Sequence, residues 1–203
     1  MMSKTHLTIG IAASLAAAPA TPEGLKYALI GGSIGSMICD IDRSSEGTVR
    51  DAGVGWLITA VVSAAAWMKE SIFAGTGPTY RDLLSDPWKL ICFAFLIGLY
   101  LFAISGAHRG FSHSLLMLCC SFFFIFFISR RMSLFYAIAF LTHIILDVLN
   151  KRPVRVLYPM KKGFCLYWFY CDGTANNVLM LAGTAAVIAL LFLKFGISLV
   201  KFV

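Results

Sequence analysis

Charge is what this chain is shortest of. Only 13 % of its 203 residues are Asp, Glu, Lys or Arg, while 59 % are hydrophobic, and a soluble surface carries about twice that charge. A soluble globule and a disordered tail are both excluded on that ground, leaving a membrane protein as the default. Internal repeats, heptad runs and low-complexity tracts are missing, which removes solenoids, coiled coils and flexible linkers. A cysteine framework is missing too. Cys39, Cys92, Cys119 and Cys120 lie inside apolar runs, where a thiol serves as a small buried group. Cys165 and Cys171 flank a polar-facing segment and would pair only on an oxidising side. The formal charge of +7 is scattered, so nucleic acid is not the expected partner; anionic lipid headgroups and the positive-inside bias account for it.

What the chain has instead is apolar length. Stretches near 5–20, 25–41, 52–68, 88–106, 113–129, 132–149 and 174–195 are separated by polar residues, Gly or Pro. With about 20 residues per span, they predict an all-α, multi-pass transmembrane helical bundle of about six to seven segments, some short or partly embedded. One domain covers residues 1–203. The first stretch follows Lys4 and ends Ala16-Ala17-Ala18-Pro19-Ala20, which also reads as a signal peptide with a small-residue cleavage site. Gly31, Gly32, Gly35 and Ser36 have the small-xxx-small spacing of close helix contact. The loop 151–172 joins basic residues to Phe164, Tyr167, Trp168, Phe169 and Tyr170, the composition of an interfacial belt.

The informative residues are those that a bilayer should exclude. Asp40 and Asp42 end the second stretch, and His143 and Asp147 sit inside the sixth. A mid-membrane Asp costs about 2.5–3.5 kcal/mol on insertion scales, so an idle one is not expected. Four residues apart, His143 and Asp147 share one helical face. His108 and His113 flank Gly110; a continuous helix would set them about 140° apart, so they converge only where Gly110 lets the turn depart from helix. Asp40 and Asp42 converge best at a frayed helix end.

Counting crossings makes these residues one set. If each stretch traverses the bilayer, His6, Asp40, Asp42, His108, His113, His143 and Asp147 all fall on the same face. Cleavage after Ala20 would discard His6, which argues against a signal peptide.

Seven imidazole and carboxylate ligands, without a cysteine among them, suit zinc, manganese or iron. They exceed the needs of one tetrahedral ion and predict two neighbouring divalent ions, zinc first, that activate a water against a phosphoryl group. Arg109 is placed to stabilise phosphate charge, while Lys151, Arg152 and Arg155 could gather anionic headgroups of a phospholipid or lipid-linked substrate. Two other classes stay open: an ion, proton or metal transporter that uses intramembrane Asp and His, and a non-catalytic scaffold whose helices a metal staples. A Ser112 or Ser114 nucleophile beside His113 lacks an identifiable orienting partner.

Three motifs carry a family resemblance: Asp40-Ile-Asp42, His108-Arg-Gly-Phe-Ser-His113-Ser-Leu, and His143-Ile-Ile-Leu-Asp147. In these the chain resembles the YdjM-like bacterial inner-membrane proteins, described as membrane-bound metal-dependent hydrolases, over about His6 to Pro159. The resemblance implies a multi-pass protein of the bacterial inner (cytoplasmic) membrane, a metal site on those ligands, and hydrolase activity. Family members commonly have Pro-Asp-x-Asp in the first motif; here Cys39 precedes Asp40. The ligand types are also similar to those of zinc-dependent phospholipase C, which implies a phosphoester.

Overall fold

The computed structural model describes residues 2–42, 53–64, 86–106, 109–168, 170 and 173–200. It is all-helical apart from one isolated bridge between Val154 and Phe164, with no β-strand among the described residues. The helices are α1 (Ser3–Ala17), α2 (Pro22–Met37), α3 (Gly53–Ala64), α4 (Pro87–Ile104), α5 (Leu115–Ile128), α6 (Arg130–Val148) and α7 (Thr174–Val200). Short 3-10 turns at Ile38–Asp42 and Phe111–His113 complete the bundle.

Local chemistry sets several boundaries. Ahead of Pro19, Ala18 turns extended and stops α1. Thr21 then caps α2 by accepting the Gly24 N–H at 3.1 Å, with Pro22 in the first turn. Asp86 does the same for α4, taking the Trp88 and Lys89 N–H groups, and Ser114 for α5. The α5–α6 turn is made by Ser129 alone, extended at φ −153°. Arg130 and Arg131 open α6, where Arg131 pairs with Glu23 at the start of α2.

The centre of the bundle is the α1–α2–α6 triple. Helix α7 lies on α1, and α5 packs against both α4 and α6. One apolar cluster joins Leu7, Ile11 and Leu15 of α1 to Ala28 and Met37 of α2 and Phe135 of α6. A second joins Ile38 and Cys39 to Leu96, Met117, Ile125, Tyr136 and Phe140. The α2–α6 approach needs glycine. A Cβ on Gly31 would stand 2.7 Å from the Met132 carbonyl oxygen, and one on Gly35 would strike the Tyr136 carbonyl. Because α1 supplies a wall of the first cluster, it is built into the bundle.

Helices α4, α6 and, within α7, Thr174–Ile197 are long and apolar enough to cross a bilayer. Phe95 and Leu101 of α4 and Leu181 and Phe192 of α7 are exposed, as suits a surface solvated by lipid. Helices α1, α2 and α5, of 15, 16 and 14 residues, fall short of the roughly 30 Å hydrocarbon layer at about 1.5 Å per residue. They are the short, partly embedded members. The Cys165–Cys171 pairing falls on Cys171, outside the described residues.

Candidate metal centre

At one end of the triple, four elements bring polar side chains into an otherwise apolar interior. The first turn of α1 presents His6, the 3-10 turn after α2 presents Asp40 and Asp42, the second 3-10 turn presents His113, and the last turns of α6 present His143 and Asp147. All six are at most 6 % exposed. The convergence expected of Asp40 and Asp42 does not occur: in the 3-10 turn two residues still leave their side chains about 120° apart, with Asp40 toward the histidines and Asp42 toward Ser112.

The donor atoms face one another. His113 Nε2 is 3.7 Å from Asp40 Oδ1 and 3.3 Å from Asp147 Oδ2; His143 Nε2 is 3.8 Å from Asp40 Oδ1 and 3.9 Å from Asp147 Oδ2. On its other side, Asp147 turns Oδ1 to His6 Nε2 at 3.3 Å. Two triplets, His6–His143–Asp147 and Asp40–His113–His143, have donor atoms all within 4.8 Å of one another. An ion bound tetrahedrally at about 2.0–2.1 Å holds its donors about 3.3–3.4 Å apart, and the imidazole–carboxylate distances of 3.3, 3.7, 3.8 and 3.9 Å are close to that spacing.

Tautomers agree with that assignment. His143 Nδ1 lies 2.6 Å from the Ser36 carbonyl oxygen, which only accepts, so the proton sits on Nδ1 and the Nε2 lone pair faces the carboxylates. His143 Nε2 and His6 Nδ1 have no hydrogen-bond partner among the described residues, and such buried nitrogens could take an ion or a water. His6 and His143 stack at 3.7 Å and 10°, a contact that suits neutral, ligating imidazoles. For His113, Ser112 Oγ donates to Asp42 Oδ2 at 2.5 Å and lies 2.8 Å from His113 Nδ1. Asp42 and Ser112 thereby orient the ring, and Asp42 stands two hydrogen bonds behind it. Burial works against a charged His113, but the carboxylates of Asp147 and Asp40 outweigh it and push its pKa up to about 9. Without metal, a proton takes the place of the cation.

Arg109 reaches the same cluster from a left-handed backbone position, φ 63°. Its terminal nitrogens donate to Asp147 Oδ1 at 3.0 Å and to the Arg152 carbonyl at 2.6 Å. Its neighbour Gly110 precedes the 3-10 turn with φ −92° and ψ −118°. His108 lies outside the described residues. Arg152 and Arg155 are exposed and Lys151 is half-buried, its ammonium 3.7 Å from the centre of the Tyr170 ring. This basic loop is bound to the site's edge, since the Arg155 N–H donates to the Arg109 carbonyl at 3.1 Å.

Sequence reasoning missed Ser3, whose hydroxyl donates to Asp40 Oδ2 at 2.7 Å, and the Ser36 carbonyl. Ser3 stands three residues before His6, on the same helical face, which was a usable signal; a backbone carbonyl leaves none.

The model of the YdjM inner membrane protein family matches residues 1–202. The chain belongs to that family. No curated protein and no solved structure gives a match. The family is named for inner membrane proteins, three described helices of this YdjM-family chain are long and apolar enough to cross a membrane, and its buried His/Asp groups are ones that could hold a metal ion.

Proposed function

We propose that this YdjM-family protein is a metal-dependent hydrolase that cleaves a phosphoester, in a phospholipid or lipid-linked molecule, at one membrane face. The observation that carries this reading is the pair of triplets His6–His143–Asp147 and Asp40–His113–His143, in each of which the donor atoms lie within 4.8 Å of one another, with the His143 and His113 rings oriented from behind by Ser36 and Ser112. A divalent transition ion, zinc first, would be held there. The opposed oxygens of Asp147, one toward His6 and one toward His113 and His143, favour a second ion beside it, with His108 as a further ligand. Such ions supply a water that is ionised near neutral pH and positive charge against a phosphoryl transition state.

The chain's own groups do the rest. Asp40 and Asp147 offset the cationic charge, Arg109 holds Asp147 Oδ1 and places its guanidinium at the edge where an anionic group enters, and the low-dielectric interior strengthens each of these interactions. Lys151, Arg152 and Arg155, in the loop joined to Arg109 through the Arg155 N–H, would gather an anionic headgroup.

Elemental analysis of detergent-purified protein tests the metal, with Asp147→Ala and His113→Ala beside the wild type. Two transition-metal ions per chain, lost in both variants, are expected, and full retention in both would remove the basis of the reading. Phosphate release from mixed lipids in micelles then tests hydrolysis where no gradient exists for a transporter to use.

A further inference from the structure

Helix α1 presents a candidate metal donor from the part of a helix that frays first. His6 follows Ser3, Lys4 and Thr5 at its start. The cap expected there is missing: Met2 holds the N-cap position and its side chain makes no cap hydrogen bond, where Ser, Thr, Asp or Asn would. The Met2 carbonyl accepts the Thr5 and His6 N–H groups at 3.0 and 3.4 Å, so the position of Met2 passes directly to the backbone of His6.

A residue of α7 closes this turn from outside. Asn176 Oδ1 accepts both the Met2 N–H at 3.1 Å and the Thr5 hydroxyl at 2.8 Å. In a capping box the third helical residue reaches back to the N-cap N–H. Thr5 holds that place, and the Asn176 oxygen bridges it to Met2 from a neighbouring helix. Thr5 and Asn176 are both fully buried, which leaves no solvent to replace these bonds. Asn176 is itself tied to the start of α7, since its N–H donates to the Gly173 carbonyl at 3.0 Å. The same turn of α1 enters the site. Ser3 donates to Asp40 Oδ2 at 2.7 Å, His6 Nε2 lies 3.3 Å from Asp147 Oδ1, and the His6 ring stacks on His143 at 3.7 Å. A ligand on a frayed turn must be ordered when the ion binds, whereas one on a closed turn is ordered beforehand, and affinity is higher for the second.

We propose that Asn176 is a positioning residue of the metal centre: from α7 it closes the first turn of α1 and so holds His6 in place against Asp147 and His143. The inference rests on the metal reading of the site and is independent of the substrate. Neither donor triplet draws a ligand from α7, so the site depends on a helix that gives it none.

The test is stepwise cobalt(II) titration of the full chain in maltoside micelles, read from the visible ligand-field bands, with His6→Ala marking the step that needs that imidazole. Thr5→Val removes the hydroxyl and keeps the shape, Thr5→Ser keeps the hydroxyl, and Asn176→Ala removes the acceptor. Thr5→Val and Asn176→Ala should weaken the His6-dependent step about 10-fold, as for groups that orient a metal ligand from behind, and alter its bands. Binding at Asp40, His113 and His143 should be unchanged. Thr5→Ser should titrate as wild type does, which ties the loss to the hydrogen bond even if Asn176→Ala fails to fold. Unchanged titrations in Thr5→Val, or a loss that Thr5→Ser shares, overturn the positioning role and leave a clasp that serves stability alone. A wild type that takes up no cobalt, or a His6→Ala variant that titrates as wild type does, overturns the metal reading at His6 and the inference with it.

Discussion

Asp147 is the hub on which the metal-free site depends, and Asp147→Asn measures that dependence. The carboxylate is 2 % exposed and meets Arg109, itself 11 % exposed, at 3.0 Å, with His6 and His113 each 3.3 Å away. Removing its charge while keeping its shape leaves the guanidinium buried without its counter-ion. Breaking one partner of a buried pair costs about 3–5 kcal/mol. Arg109 keeps its bond to the Arg152 carbonyl and some solvent, so the lower end applies, about 3 kcal/mol, or roughly two orders of magnitude in the folded-to-unfolded ratio. The assay is unfolding of chelator-treated protein in dodecyl sulfate–maltoside mixtures, followed by far-UV circular dichroism. Arg109→Met in the same background removes the stranded charge, and the double variant should recover about half of the loss or more, a coupling in the 0.5–3 kcal/mol range for residues in contact. A single variant as stable as wild type, or a double variant no better than Asp147→Asn, would refute the reasoning that charge compensation at Asp147 holds this end of the bundle together.

Other outcomes follow from the same geometry. Ser112→Ala cuts the link from Asp42 to His113 and should lower zinc affinity about 10- to 100-fold while leaving helix content unchanged; equal affinity in a chelator-competition titration would show that the link does not orient the ring. Because the metal-free His113 holds its proton up to about pH 9, binding must release that proton below this pH. Apparent zinc affinity should therefore rise with pH, up to about tenfold per unit, and level off above about pH 9; a flat profile from pH 7 to 9 would contradict a protonated His113. Gly35→Ala should push α2 from α6 through the Tyr136 carbonyl and weaken the Ser36–His143 bond, reducing both stability and bound zinc. Gly98→Ala on α4, with nothing within 4 Å of the added carbon, should be neutral or slightly stabilising, since alanine favours helix by about 1 kcal/mol over glycine.

The motifs were legible in the chain because burial of an ionisable group in a bilayer is costly enough to stand out against an apolar background. That signal picks out Asp40, His143 and Asp147 directly; the count of seven full crossings groups them with His6 and His113, but α1, α2 and α5 are too short to cross, so it is the helix packing and not the count that brings them together. The signal says nothing about division of labour. Asp40 and Asp42 look equivalent in sequence, yet the 3-10 turn sends one to the histidines and the other to Ser112. Ser112, unconvincing as a nucleophile from its neighbours alone, becomes the link between Asp42 and His113 only when the two 3-10 turns meet.

By itself, then, the sequence determined the helical class, the apolar segments long enough to cross a membrane and the family, because hydrophobic length and motif spacing are properties of the chain read in order. The tertiary structure alone decided which atoms face one another. The Ser36 carbonyl that sets the His143 tautomer and the two directions of the Asp147 carboxylate depend on how close α1, α2 and α6 come. That distance is set by side-chain volume at glycine contacts between elements far apart in the chain, which no local pattern records.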